Sequence, residues 1–464
     1  MAWLLLALSV SMATVSAQIP CPNNMVCSCT DTNIECHDRA LVAVPVFTSD
    51  SHYTTLHLEN NMIETLPDDA FKNLQKVMII FLRNNTINTV SRNAFRGVEA
   101  GILHLDLAQN NLTEFPLAAG ALENLMRIDV SNNPIDENHF DEHTMYDIGD
   151  KLTRLDFGSD SLHQWPNTLR HLQALEVLNV TGGSFYTLPP TAFHGFEGTL
   201  KTLSIQHTQL IALPFALSKL RFLDHLYFDH NHAIGDSGIL ITSLSNDTLT
   251  NLQYVSLVDD NLTYFPSLLR FLRNVHTLIL DSNRLAFVSD SSVAVAVGTA
   301  ITTLSLRNCS LSRVPGALSK LTNLTKLDLT DNQIRSFENS DFQNMGRLTT
   351  LTVTRNPLEF IANETFKDLR CLQQLDIMES NIKTMPEAIR FLRNLTTLTL
   401  PLDKIECTCN IVWLKQFMEV CNTNLKIAGS CETIDSPVAD YLRAHIPNCP
   451  NYASQTQCVS STCT

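Results

Sequence analysis

The sequence predicts an α/β solenoid, one elongated domain in which short parallel strands repeat along an axis. Three observations predict it. A leucine-centred motif recurs at nearly constant spacing through most of the 464 residues. Thirteen cysteines gather mainly at the two ends of that array. The composition is 44% hydrophobic and only 17% charged, against about 25% charged in ordinary soluble proteins, so a long continuous core is available. A balance of 32 Lys+Arg against 47 Asp+Glu, net −15, argues against nucleic acid and anionic membrane as partners.

The motif is L-x-x-L-x-L-x-x-N-x-L, clearest at Leu324-x-x-Leu327-x-Leu329-x-x-Asn332-x-Ile334. With its second leucine as marker, copies stand at Leu56, Ile80, Leu105, Ile128, Leu155, Leu178, Leu203, Leu226, Val255, Leu278, Leu304, Leu327, Leu351, Leu375 and Leu398. The alternating L-x-L reads as a strand with one buried and one wet face. No copy can bury its own leucines, so copies must stack. The expected fold is a leucine-rich repeat horseshoe of about 15 repeats with a parallel concave β-sheet. The Asn position predicts a ladder of turn hydrogen bonds, with departures at Asp160, Gly183, Thr208, Asp260, Cys309, Ser380 and Asp403. Cys309 there reads as a buried thiol standing in for Asn.

Spacing alternates over most of the chain between short units and longer ones, implying an ancestral doublet. Short units have a proline-led second half, at Pro116, Pro166, Pro214, Pro266, Pro315 and Pro386. Longer ones often carry Ala-Phe or Thr-Phe, ending at Phe71, Phe95, Phe193 and Phe366.

Domain organisation follows. Residues 1–17 read as a signal peptide: the apolar run Trp3–Val10 is too short to span a bilayer, and Val15-Ser16-Ala17 offers small residues before a cut. Residues 18–50 and 406–450 read as cysteine caps around repeats at 51–405, and 451–464 as a polar, Cys-containing tail. The expectation is a secreted, extracellular, disulfide-bonded protein with no membrane anchor.

The cysteine spacings Cys21-x5-Cys27-x-Cys29-x6-Cys36 and Cys407-x-Cys409 followed by Trp413, Cys431, Pro437 and Cys449 resemble the caps of extracellular leucine-rich repeat proteins. Those families include Slit, Toll-type ectodomains, chaoptin and the lamprey variable lymphocyte receptors. The resemblance implies Cys21–Cys29, Cys27–Cys36, Cys407–Cys431 and Cys409–Cys449 bonds. Zinc binding by the Cys-x-Cys pairs is the disfavoured alternative. Cys309, Cys371, Cys421, Cys458 and Cys463 remain. Five is odd, and Cys458 or Cys463 is the expected link to a second chain; a local Cys458–Cys463 or Cys421–Cys458 bond is the alternative. The doublets and the phrase Gly195-Phe-Glu-Gly-Thr-Leu200 also resemble secreted invertebrate proteins similar to the non-catalytic leucine-rich subunit of Oplophorus luciferase. That resemblance implies an auxiliary subunit of a secreted enzyme.

Function is expected on the concave face, an arc of about 70 Å at roughly 4.8 Å per strand. Asp106, Asp129 and Asp156 stand in successive strands with Arg127 and Arg154 between them. They read either as a surface salt-bridge ladder or as a docking strip for a basic partner. His225, Tyr227, Asp229 and Tyr254, with His207 and His230 beside them, make a mid-arc cluster suited to a protein interface. Ile79 and Phe81 are expected to face solvent as a third contact. Sequons at Asn84, Asn111, Asn179, Asn246, Asn261, Asn308, Asn323, Asn363 and Asn394 are candidate glycosylation sites. Asn179 alone is expected on the concave face, where a glycan would obstruct it.

Two enzyme-like motifs are set aside. Gly235-Asp236-Ser237-Gly238 lies in a long insertion, and His139-x-x-Glu142-His143 lies between the fourth and fifth repeats. Neither position supplies the partners its chemistry needs. The expected protein is therefore a non-enzymatic binder of an extracellular protein or glycan, of unknown identity, using no cofactor and no metal.

Overall fold

The computed structural model describes residues 21–22, 26–48, 52–239, 244–245, 247–285, 288–450, 458 and 463. The expected signal peptide, Asn246 and the tail other than Cys458 and Cys463 lie outside them. The fold is a leucine-rich repeat solenoid. Each of the fifteen markers is the second residue of a strand, from Thr55–His57 to Thr397–Thr399. All are at most 2% exposed. Successive strands are parallel and in register, so marker faces marker: Leu56 opposite Ile80, Ile128 opposite Leu155, Leu375 opposite Leu398. Asn33–Glu35 pairs onto the first repeat, Ser28–Cys29 closes that edge antiparallel, and Lys426–Ala428 covers the other end. Among the described residues this makes one 18-stranded sheet.

The doublet is visible in the second half of each unit. All six prolines named above sit at the N-cap of a five-residue 3₁₀ turn, such as Leu117–Ala121 or Glu387–Phe391. The pyrrolidine ring presets φ there and costs no hydrogen bond, because the first turn has no partner for that N–H. In other units Phe71, Phe95, Phe193 and Phe366 fill the core instead, with the rings of Phe71 and Phe95, from consecutive units, 5.4 Å apart.

The Asn ladder turns the chain after each strand. Asn332 Nδ2 donates to the Leu306 and Leu329 carbonyls, while its Oδ1 accepts from the Cys309 and Leu311 amides. Asn85, Asn110, Asn133, Asn283 and Asn356 repeat this across neighbouring units. One residue earlier the corner is left-handed, at Asn60, His207, His230, Ser282 and Arg355 among others. Non-glycine residues resist that conformation, and the ladder supplies the compensating bonds. Where Asp160 and Gly183 replace Asn, the strands run on instead, as Arg154–Phe157 and Val177–Thr181. Gly158 permits this: at φ +120 it lies against the next strand, and a Cβ would come 2.6 Å from the Thr181 carbonyl.

Two ladder positions carry unusual chemistry. Cys309 is buried, and its thiol donates to the Leu280 and Arg307 carbonyls in the manner of an Asn amide. Burial pushes that thiol up to about 12. At Asp260, Oδ1 accepts from the Asn231 amide at 2.8 Å, whereas Oδ2 is buried with no hydrogen-bond partner. Burial pushes this carboxyl up to about 8, with the Asp229 and Asp259 charges adding to the effect.

The disulfides are Cys21–Cys29, Cys27–Cys36, Cys407–Cys431 and Cys409–Cys449 in the caps, plus Cys421–Cys458 and Cys371–Cys463. The last two correct the expectation of a link to another chain, because both tail cysteines are consumed within this one. Cys458 takes the local alternative, while Cys463 reaches back 92 residues into the repeats. Cys309 is the free cysteine.

Candidate binding face

Side chains flanking each marker project from the concave sheet, and the three predicted groups fall on it. In the first, Asp106, Asp129 and Asp156 are register partners in adjacent strands. The salt-bridge ladder is not what holds them. Arg154 alone pairs, its Nε 2.7 Å and Nη2 3.0 Å from the two Asp156 oxygens. Arg127 forms no ion pair among the described residues. Asp106 and Asp129 instead accept the backbone N–H two residues on, from Ala108 at 3.0 Å and Ser131 at 2.9 Å. Asp328 and Asp376 do the same with Thr330 and Met378. These carboxylates brace the exit from the strand, a local Asx bond of the kind common at turns. Burial pushes Asp106 up to about 6 and raises Asp129 in the same sense.

Asn179, next in the row, is half-buried and its amide donates to Asp156 Oδ1 at 2.5 Å. A glycan on that nitrogen would replace one of its two N–H groups and crowd the contact with Asp156. By contrast Asn84, Asn111, Asn308, Asn323, Asn363 and Asn394 are exposed, and Asn261 is partly so. The amide of Asn394 nevertheless donates to the Arg370 carbonyl at 2.6 Å. It belongs to a second ladder with Asn124, Asn251 and Asn274, each bonding the preceding unit's backbone.

Ile79 and Phe81 lie near the first end, half-buried rather than freely exposed. Phe81 packs between two imidazoles, 5.0 Å from His57 and 5.4 Å from His104. His57 bonds Glu59 at 2.8 Å, and that bond raises its pKa; burial lowers that of His104.

The mid-arc cluster is the densest of the three. His225 and Tyr227 share a strand, and the register sets His225 opposite Tyr254. The Tyr227 and Tyr254 rings are 4.9 Å apart, and the His225 ring lies 5.4 Å from Tyr254 and 25° from parallel. Together they form an aromatic shelf across two strands. Burial raises the pKa of both phenols, keeping them neutral donors. Asp229 accepts from Ser256 Oγ at 2.6 Å and the Val258 amide at 2.9 Å, which fixes its carboxylate beside the shelf. His207 and His230 stack at 4.6 Å but occupy the left-handed corner at the sheet's edge, with His230 bonded to Asp259.

Sequence reasoning missed two residues here. Asp224 lies 3.1 Å from the His225 imidazole, with its Oδ1 buried and unpartnered. Asp281 accepts from Ser305 Oγ and the Arg307 amide. Asp224 stands two positions before its L-x-L window and Asp281 one position after its own, so a reading of inward and outward strand positions passes them by.

The set-aside motifs have other employment. Asp236 accepts the Thr263 and Tyr264 amides, tying the insertion to the next repeat. Glu142 is held by Arg170 and His171, and His139 sits in a 3₁₀ turn before the helix Glu142–Ile148, off the face that carries His143. Among the described residues no group of three or more His, Cys, Asp or Glu is arranged to hold a metal, and no helix is long and apolar enough to cross a membrane.

A family model for leucine rich repeats matches residues 51–112, 299–358 and 346–405. Podocan of Mus musculus is 25% identical over 366 residues, covering 72% of this chain and 53% of podocan. Keratocan of Bos taurus is 26% identical over 315 residues, covering 57% of this chain and 83% of keratocan. The chain spans between about half and two thirds of podocan and the podocan-like proteins it matches. Among solved structures, a leucine-rich repeat protein of Leptospira interrogans superposes with a TM-score of 0.56 at 20% identity, over 81% of this chain and 89% of its own. TLR13 in complex with ssRNA13 does so at 0.53 and 19%, over 88% and 71%. Both likenesses are of fold.

Proposed function

We propose that this leucine-rich repeat chain is secreted and binds a protein partner in the extracellular space through its concave sheet. The single observation that carries the reading is the shelf of His225, Tyr227 and Tyr254, large half-buried rings placed together at mid-arc. Tyrosines bring rigid contact area at low entropic cost, and such residues dominate interface energetics. On the C-terminal side of the shelf the same face carries short residues such as Thr303, Ser305, Thr350 and Thr352. Six disulfides support an oxidising compartment, with residues 1–17 as the signal that directs the chain there. The proposed division remains caps at 18–50 and 406–450, repeats at 51–405 and a tail at 451–464.

The chain acts on this reading as a binder, not an enzyme. The other reading, an auxiliary subunit of a luciferase-like enzyme, loses the unpaired tail cysteine that motivated it, and the similarities found run to podocan and keratocan instead.

The test is capture from the source organism's extracellular fluid with the immobilised mature chain, in parallel with Tyr227→Ala/Tyr254→Ala. A protein retained by the first and lost from the second supports the reading. Equal recovery on both refutes the mid-arc site.

A further inference from the structure

The charge around the shelf is one-sided. The strands from Thr202–Gln206 to Thr303–Ser305 contain no Lys or Arg. Of the cations next to these strands, Lys201 pairs with Glu176 at 2.8 Å, and Arg307 pairs with Asp331 at 3.7 Å while also acting on Asp281 at the edge of the shelf. Three carboxylates nevertheless border the rings. Asp229 and Asp281 accept only neutral donors among the described residues, and Asp224 meets only the His225 imidazole. One oxygen of Asp224 is buried without any partner. Desolvating unpaired carboxylates is unfavourable, so a site like this gains most from a ligand that brings positive charge. The two tyrosine faces add an attraction for the same kind of group, since a cation within about 6 Å of an aromatic centroid is stabilised by the ring quadrupole.

We propose that Tyr227 and Tyr254, bordered by Asp224, Asp229 and Asp281, form a receptor for an arginine side chain presented by an extended basic segment of a protein partner. The planar guanidinium lies flat on the shelf, where a compact ammonium cannot, and its N–H groups reach the bordering carboxylates in pairs. This deepens the binding function proposed above and rests on it. It also gives the net charge of −15 a local use, steering a basic partner toward mid-arc.

The probe is a synthetic Gly-Arg-Gly-Arg-Gly-Arg-Gly peptide, compared with the same peptide carrying citrulline at each arginine position. Citrulline keeps the planar shape and removes the charge. Binding to the full chain is followed by calorimetry in low salt. Expected are tenfold or greater weakening with the citrulline peptide, about fivefold to tenfold weakening in Tyr254→Ala, and a similar loss in Asp229→Asn/Asp281→Asn. The Asn side chains keep the Oδ1 acceptors that hold the turns, so those variants lose charge and not structure. Asp376→Asn, on the same face but remote from the shelf, should leave the affinity unchanged. Equal binding of the citrulline peptide, or equal loss in Asp376→Asn, overturns the arginine site by showing shape recognition or diffuse charge. Tighter binding of a neutral oligosaccharide such as chitohexaose than of the arginine peptide also overturns it. Failure of the wider reading looks different: there, capture of a protein is indifferent to Tyr227→Ala/Tyr254→Ala. A partner that needs the tyrosines but is indifferent to Asp229→Asn/Asp281→Asn leaves the wider reading standing and overturns this one.

Discussion

Replacing Asp260 by Asn should stabilise the protein, and by an amount that depends on pH. The ladder needs an acceptor and a donor at this position. Asp260 offers the acceptor, through Oδ1 to the Asn231 amide, but its ionised Oδ2 is buried with nothing to bond. Burial disfavours the charge on that oxygen, with the Asp229 and Asp259 charges adding to it, so the folded chain holds a proton there up to about pH 8, against 3.8 for the ordinary side chain. An acid whose folded pKa is raised contributes its full stability below the unfolded value and loses it as pH climbs to the folded value. Each pH unit in that window costs about 1.4 kcal/mol, so at pH 7 the chain has forfeited roughly 4 kcal/mol relative to pH 4. Relaxation of the neighbouring insertion reduces this. We expect Asp260→Asn to gain about 2–4 kcal/mol at pH 8 and little at pH 4. Urea unfolding followed by circular dichroism at pH 4, 6 and 8 measures it on both proteins. A gain that does not change with pH, or a loss at pH 8, refutes the argument that a buried charge is being removed.

Three further outcomes follow from the same geometry. Asn332→Ala orphans the Cys309 and Leu311 amides and two carbonyls in the core, and should cost about 3 kcal/mol in the same urea assay. Cys309, buried and with its thiol pushed up to about 12, should resist Ellman's reagent in the native chain at pH 8; one thiol per molecule should appear in guanidinium. Asn179 should be recovered unmodified in the secreted protein, while exposed sequons such as Asn84, Asn111 and Asn363 carry glycans; peptide mass spectrometry after enzymatic deglycosylation in heavy-oxygen water reads each site.

Most of the architecture was legible because the pattern and the fold share one translation. Leu56 and Leu398 do the same job fourteen units apart, so a marker found in one place could be checked in all. Proline at the head of each five-residue 3₁₀ turn was visible for the same reason. The binding face was less legible. Asp106 and Asp129 looked like a charge problem when read beside Arg127 and Arg154, but their partners are backbone amides two residues away, which a tally of charges does not contain. The bond from Cys371 to Cys463 was illegible outright. Cys371 lies in a connecting segment between repeats, and nothing in the tail's composition says which unit it returns to.

That bond has a mechanical consequence. A stacked array holds each unit only through its neighbours, so it frays from its ends like an unglued stack of coins. At the N-terminal end the two bridges close loops of 8 and 9 residues and bind the first cap only to itself. At the other end, the chain between Cys371 and Cys463 is a hoop enclosing the last two strand units and the cap. Those units cannot peel away singly, because any gap must be shared around the hoop. Erosion by heat or protease therefore has one open door, at the first repeat, and the far end yields only as a block.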